Sequence, residues 1–216
     1  GEWLVDNYYL IEEQIRTTQR HLPRSYSREL PHLARGPLAG YPRVYDIAQE
    51  LISHLDGRVD AESLSVFVEA YQVSTPLTLG ELWAIPIMLR LALIENLRRV
   101  ATRIAAGRAD FDAANAWADE IVLTAEKDPK NVILVLADMA RANPPSSSAF
   151  IAEFTRRLQG QGASLVFVIT WIEQRLSELG RTIEQLVQEE AQRQAGDHVS
   201  ISNTIGSLRF LDGMDW

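Results

Sequence analysis

Side chains that could bind a sugar or a phosphate occur at three places in the sequence. The segment "YPRVY" contributes Tyr41 and Arg43, the stretch "PLTLGELWAIPIMLRLALIENLRRV" contributes Trp83 and Arg90, and "SISNTIGSLRF" contributes Asn203. Aromatic rings with a few convergent polar groups are typical of small-molecule sites. The same residue types also occur where helices are capped and packed, so both interpretations stay open from the residues alone.

Arg90 is the most unusual of these candidates because its helical neighbours are apolar on nearly every side. An unpaired buried guanidinium is costly, so the pattern predicts that Arg90 meets a carboxylate, a carbonyl or an anionic ligand. Glu95 can pair with Arg98 or Arg99 along the same helix. Glu95 and Arg98 are therefore candidates for a ligand or domain contact, with structural ion pairs as the alternative.

The start of that stretch has a local explanation. Thr78 and Glu81 match the T-x-x-E capping box, and Leu77 and Leu82 are placed as the hydrophobic staple across it. Pro86 removes one helical hydrogen bond and predicts a packing kink.

The usual signatures of catalysis and metal binding do not occur. The chain has no cysteine, its four histidines lack metal-ligand spacing, and neither a nucleophile elbow nor a phosphate loop is found. We therefore predict no catalytic residue, no metal site and no cofactor within these 216 residues.

Composition narrows the class of protein. The net charge of −8 argues against a nucleic-acid partner, because such proteins neutralise phosphates with excess Lys and Arg. No apolar run approaches the roughly 20 residues of a spanning helix, so a soluble chain is expected. The helix-like patterns at both ends predict a piece of a larger protein.

Hydrophobic periodicity is helical almost everywhere, which predicts an all-α fold of about nine helices in antiparallel pairs, without a sheet. We expect a single domain over residues 1–216, with a sub-boundary at the turn 143–148. The apolar seam from Leu165 to Leu186 predicts one long helix that contains Gly180. A separate helix is expected from about Asp110 to the residue before Asp128. The proline-rich segment 21–45 is expected to be irregular, and Ser200 or Ser202 to cap the last helix.

Four blocks carry a resemblance to a known family: "EWLVDNYYLIEEQIR", "LPRSYSRELPHLARGPLAGYPRVYDIAQELISHLDGRVD", "PLTLGELWAIPIMLRLALIENLRRVATRI" and "SISNTIGSLRFLDGMDW". Together they make the chain resemble the N-terminal region of bacterial cyclic β-1,2-glucan synthases. The resemblance implies a very large inner-membrane enzyme with a glycosyltransferase that uses UDP-glucose and a divalent metal, a cyclising domain and a phosphorylase-like domain. It implies that this segment precedes the membrane spans on the cytoplasmic side, and it carries over no catalytic residue.

Three functions follow from these observations. The first is a helical accessory domain that packs against the remaining domains or the membrane segments of the synthase. The second is a module that binds β-1,2-glucan or a nucleotide sugar. The third is a small α-helical glycoside hydrolase, for which about nine helices are fewer than an α/α barrel normally needs.

Overall fold

A computed structural model describes residues 6–22, 24–162 and 165–214. Over this part of the chain nine α-helices form, with one 3-10 turn (Pro129–Asn131), and strand-like pairing is limited to an isolated bridge between His32 and Pro42. The predicted all-α class and helix number are confirmed. The helices are α1 (Tyr8–His21), α2 (Arg24–Glu29), α3 (Arg43–His54), α4 (Ala61–Ser74), α5 (Leu79–Lys127), α6 (Val132–Ala142), α7 (Ser148–Leu158), α8 (Val166–Glu178) and α9 (Ile183–Asp212).

The chain divides into two compact units. The first unit comprises residues 1–101 and 197–216, and the second comprises residues 102–196. Helices α5 and α9 each contribute residues to both units. The turn 143–148 lies within the second unit, while the single domain over 1–216 stays a prediction.

The core of the first unit is built around the first half of α5. Contacts from Arg90 to Leu211 and from Asn96 to Thr204 show that α9 runs antiparallel to α5 in this unit. Burying such apolar side chains is the main source of stability in a helical domain. The buried members include Leu30, Val44, Ile47, Leu51, Ile52, Ala84, Met88, Leu89, Leu93, Leu208 and Leu211.

The core of the second unit surrounds the second half of α5. Phe150 and Phe154 of α7 stack with ring centroids 5.6 Å apart. Ala114 and Ala118 are fully buried on α5, where small side chains let neighbouring helices approach closely. The other buried members include Ile121, Val132, Met139, Leu165, Val168, Ile172, Leu176 and Leu186.

Helix α5 is longer than the sequence pattern predicts. It continues without a break through Pro86 and through Asp110, so the predicted helix start near Asp110 is wrong. The intervening segment "ATRIAAGR" consists mostly of strong helix formers, which extend the helix. Asp110 instead accepts a hydrogen bond of 2.6 Å from the Ser147 hydroxyl. The predicted end before Asp128 is confirmed.

The predicted long helix over 165–186 is also wrong, because Gly180 ends it. Gly180 has a φ of +69°, and the backbone N–H groups of Arg181 and Gly180 donate to the carbonyls of Leu176 and Ser177. This is a Schellman motif, which stops α8 in a left-handed turn that glycine adopts readily. Thr182 then starts α9 through a capping box with Gln185.

Two further boundaries differ from the prediction. The short helix α2 forms inside the proline-rich segment, where Arg24–Glu29 holds neither proline nor glycine; Pro23 lies outside the described residues. Ser200 and Ser202 lie in the middle of α9 and cap no helix.

Candidate functional site

Arg90 lies inside the first unit, where all its visible contacts are structural. Only 8% of the residue is exposed. Its Nε donates to Oε1 of Gln14 at 3.0 Å, and its Nη2 donates to the Leu211 carbonyl at 2.6 Å. The amide of Gln14 in turn donates to the Asp212 carboxylate at 3.0 Å. Burial lowers the pKa of Arg90, and the Asp212 carboxylate partly offsets that effect.

This cluster explains why a guanidinium is present. Leu211 is one of the last residues of α9, and its carbonyl accepts from Arg90 at the C-terminal end of that helix. A cation at a helix C-terminus also interacts favourably with the helix dipole. Arg90 therefore joins α1, α5 and the end of α9, as the predicted pairing with a carbonyl requires.

Arg43 forms the second structural cluster. Its Nε and Nη2 donate to the two carboxylate oxygens of Glu81 at 2.9 and 2.8 Å, and its guanidinium lies 6.0 Å from the centroid of the Tyr71 ring. Glu81 is fully buried and completes the capping box with Thr78. Burial alone would raise the pKa of Glu81, but hydrogen bonds from Arg43 and Thr78 outweigh it and lower the pKa. The local cap is thus confirmed, and the pair with Arg43 adds a link from α3 to α5.

Tyr41 and Glu95 lie near a common neighbour. Tyr41 is 54% exposed and stacks on Tyr45 with centroids 5.8 Å apart. Burial raises the pKa of Tyr45, and the nearby Glu95 carboxylate raises it further. Both carboxylate oxygens of Glu95 accept from Arg98, at 2.8 and 2.6 Å, which confirms the predicted helical pair. Of the two stacked rings, Tyr41 is therefore the exposed one and Tyr45 is partly buried.

The last two predicted candidates take no part in these contacts. Trp83 is 66% exposed on α5. Asn203 of α9 donates to the Asp56 carbonyl at 3.2 Å. The seven candidates are therefore distributed over several parts of the first unit. The hydrogen bonds of Arg43, Arg90 and Asn203 connect different helices and loops, whereas Glu95 and Arg98 pair within α5.

A polar seam that sequence reasoning missed holds α9 against the loop 55–59. The Ser207 hydroxyl donates to the Gly57 carbonyl at 2.8 Å and accepts from the Val59 N–H at 2.7 Å. Asn96 donates to Ser200 and Thr204 at 3.1 and 2.9 Å. The signal was the spacing of Ser200, Thr204 and Ser207, which places the three hydroxyls on one helical face. This seam accounts structurally for the block "SISNTIGS".

The second unit contains a surface depression of about 480 Å³. Its lining consists of Trp171, Gln174, Arg175, Glu178 and Leu179, at the C-terminal end of α8. The Arg175 guanidinium lies 5.7 Å from the centroid of the Trp171 ring, one helical turn away. None of these residues was a sequence candidate, although the four-residue spacing of Trp171 and Arg175 was the signal available.

Within residues 6–22, 24–162 and 165–214, no three His, Asp or Glu side chains come together as metal ligands would. In the same ranges no helix combines the length and hydropathy that crossing a bilayer requires.

Comparison with known proteins gives an extended match. No family model matches the chain. The chain is 35% identical over all 216 residues to the cyclic beta-(1,2)-glucan synthase NdvB of Rhizobium meliloti (strain 1021), and it spans 8% of that protein's length. Identity of this level over a whole chain indicates common ancestry. The chain is therefore related from end to end to a segment of a cyclic β-1,2-glucan synthase, which confirms the resemblance predicted from its four sequence blocks.

Proposed function

We propose that this chain is a non-catalytic accessory segment of a cyclic β-1,2-glucan synthase, and that it packs against the remaining domains of the synthase. The observation that carries the proposal is the 35% identity to such a synthase over the whole chain, of which the chain represents a small share. In this proposal the other domains supply UDP-glucose binding, the divalent metal and the chemistry. The segment lies on the cytoplasmic side of the inner membrane.

The polar contacts of the first unit support a scaffolding role. Arg43 and Glu81 join α3 to α5, while Arg90 and Gln14 join α5 to α1. These four polar side chains are thus occupied in holding helices together. Buried polar groups whose hydrogen bonds are satisfied make a fold rigid, which is what a scaffold requires.

Exposed apolar side chains of the first unit offer a surface for the remaining domains. Leu79 and Trp83 lie one turn apart on α5 and are 71% and 66% exposed. Val66 and Val73 lie two turns apart on α4 and are exposed as well. Large exposed apolar groups that share a helix face are typical of contact surfaces, and Trp is enriched at their centres.

The test is a deletion in the full-length synthase. We expect that removing the segment equivalent to residues 1–216 lowers the amount of synthase in the membrane, or the glucan made from UDP-glucose per molecule of synthase. Immunoblotting and incorporation of labelled glucose measure the two quantities. Normal abundance together with a normal rate would refute the proposal.

Point variants test the surface separately. Leu79→Ser with Trp83→Ser in the full-length synthase should reduce assembly without unfolding the segment, because both side chains are mostly exposed. Leu123→Ser is the matched control, since Leu123 is 53% exposed in the second unit. Equal effects of the double variant and the control would show that the surface formed by Leu79 and Trp83 is not the contact.

A further inference from the structure

The depression at the end of α8 is lined by a preorganised pair of side chains. Trp171 is partly buried against the second core, which fixes the indole. The Arg175 guanidinium lies over the indole and donates through Nη2 to the side-chain oxygen of Asn143. Asn143 itself ends α6 with a φ of +49°. The guanidinium is therefore held from two sides, and an arginine held in this way loses little entropy on binding a ligand.

The other polar groups of the depression have no visible structural use. Across the described part of the chain, Gln174 and Glu178 make no side-chain hydrogen bond or ion pair. Glu178 is the last residue of α8, where the negative end of the helix dipole disfavours a carboxylate. Local stability therefore does not explain its position, and such departures from good helix chemistry are expected at functional sites.

The chemistry of the lining defines the ligand class. Gln174 offers both donors and acceptors, Glu178 offers acceptors and Arg175 offers donors. The opposite charges of Arg175 and Glu178 balance, so neither an anion nor a cation is favoured. Trp171 and the exposed Leu179 add apolar surface. A sugar carries both hydroxyl groups and apolar C–H faces. The polar side chains of the lining match the hydroxyl groups, and its apolar side chains match the C–H faces.

We propose that this depression binds a neutral oligosaccharide. Its volume of about 480 Å³ lies within the range of roughly 300–1,000 Å³ that is typical of small-molecule sites. The sugar rings pack against the Trp171–Arg175 pair and Leu179, while their hydroxyls bond to Gln174, Arg175 and Glu178. The choice of β-1,2-linked glucan as the probe rests on the proposed function.

The experiment is a titration of the 216-residue chain with short linear β-1,2-glucan, followed through the indole N–H resonance of Trp171 by NMR. A Trp171→Phe variant assigns that resonance. We expect a saturable shift at millimolar glucan and no comparable shift with inorganic phosphate. A chain that shows no shift with glucan, or that responds only to phosphate, overturns the inference.

Variants show whether the shift comes from this depression. The double substitution Gln174→Ala with Glu178→Ala changes exposed groups and should weaken binding by roughly tenfold or more, because it removes one hydrogen bond to a neutral amide and one to a charged carboxylate. Glu173→Ala changes an exposed carboxylate on the same helix outside the lining and should leave affinity unchanged. Equal affinity in both variants contradicts the site. A failed glucan titration would not change the outcome of deleting residues 1–216 from the synthase, so the binding proposal and the accessory-segment proposal can be refuted separately.

Discussion

Replacing Arg90 by methionine should release the contacts that join three helices of the first unit. Methionine has a similar length but no donor, so the Gln14 amide oxygen and the Leu211 carbonyl lose their charged partner. The substitution also leaves Asp212 without the nearby cation. Helix α1 should be affected first, because Gln14 is fully buried on its inner face.

The size of the effect follows from the two hydrogen bonds. A bond to a charged group contributes about 1.5–3 kcal/mol, and removing one partner of a buried charged cluster typically costs about 3–5 kcal/mol. We therefore expect Arg90→Met to lower the free energy of unfolding of the first unit by about 3–5 kcal/mol. That is a large share of the roughly 5–15 kcal/mol available to a typical domain. Arg90→Lys should fall between the wild type and Met, because an ammonium lacks the fork that reaches both acceptors.

Urea titration with amide hydrogen exchange over α1 and α3 measures the loss in the first unit. Arg98→Met is the matched control on the same helix: Arg98 is mostly exposed and pairs with Glu95, so its removal should change little. The reasoning is refuted if Arg90→Met costs no more than Arg98→Met, or if exchange over α1 does not accelerate.

Three further outcomes follow from the geometry. Hydrogen bonds hold the pKa of Glu81 below its ordinary value of 4.5. The stability that the Glu81 carboxylate contributes should therefore be present above that pH and be lost as the pH falls through the folded-state pKa. Glu81→Gln should flatten this pH dependence in acid titrations of unfolding. A Cβ on Gly57 would lie 2.4 Å from Oγ1 of Thr204, so Gly57→Ala should lower the free energy of unfolding in urea titrations. Gly36→Ala is the control and should lower it less, because φ is also positive at Gly36 but no atom lies within 4 Å of the added Cβ. Gly180→Ala should destabilise the chain by about 1 kcal/mol because the φ of Gly180 is +69°. In a continuous helix the same substitution would stabilise the chain by about 1 kcal/mol. The sign of the change in melting temperature therefore distinguishes a turn at Gly180 from a continuous helix.

The features predicted correctly from the sequence depend on residues close together along the chain. Thr78 with Glu81 and Glu95 with Arg98 are each three residues apart, and helical spacing alone brings their side chains together. Burial of the Arg90 guanidinium could also be inferred from its apolar neighbours. Its partners could not, because Gln14 and Leu211 lie 76 and 121 residues away.

The boundaries predicted wrongly share a physical cause. Apolar residues can keep their helical spacing across a tight Schellman turn, so the sequence pattern around Gly180 fits either one helix or two. Asp110 is a residue type favoured at helix starts, yet an aspartate also occurs inside a helix when its carboxylate has a partner elsewhere, as Asp110 has in Ser147. Local backbone effects decided both cases, since the Schellman hydrogen bonds at Gly180 end α8 and the helix formers of "ATRIAAGR" extend α5. They also explain why the depression beside Trp171 was missed, since its lining is defined by where α8 ends.

The division of the chain has a consequence for synthesis on the ribosome. The second unit is contiguous, from residue 102 to 196, whereas the first unit needs residues 197–216 to be complete. Leu208 and Leu211 of the first core, and the Ser207 hydroxyl that bonds to the Gly57 loop, all come from that last segment. During translation the second unit can therefore close while the first still lacks a helix. A nascent chain halted at residue 196 should protect amides in α6 and α7 before those in α3.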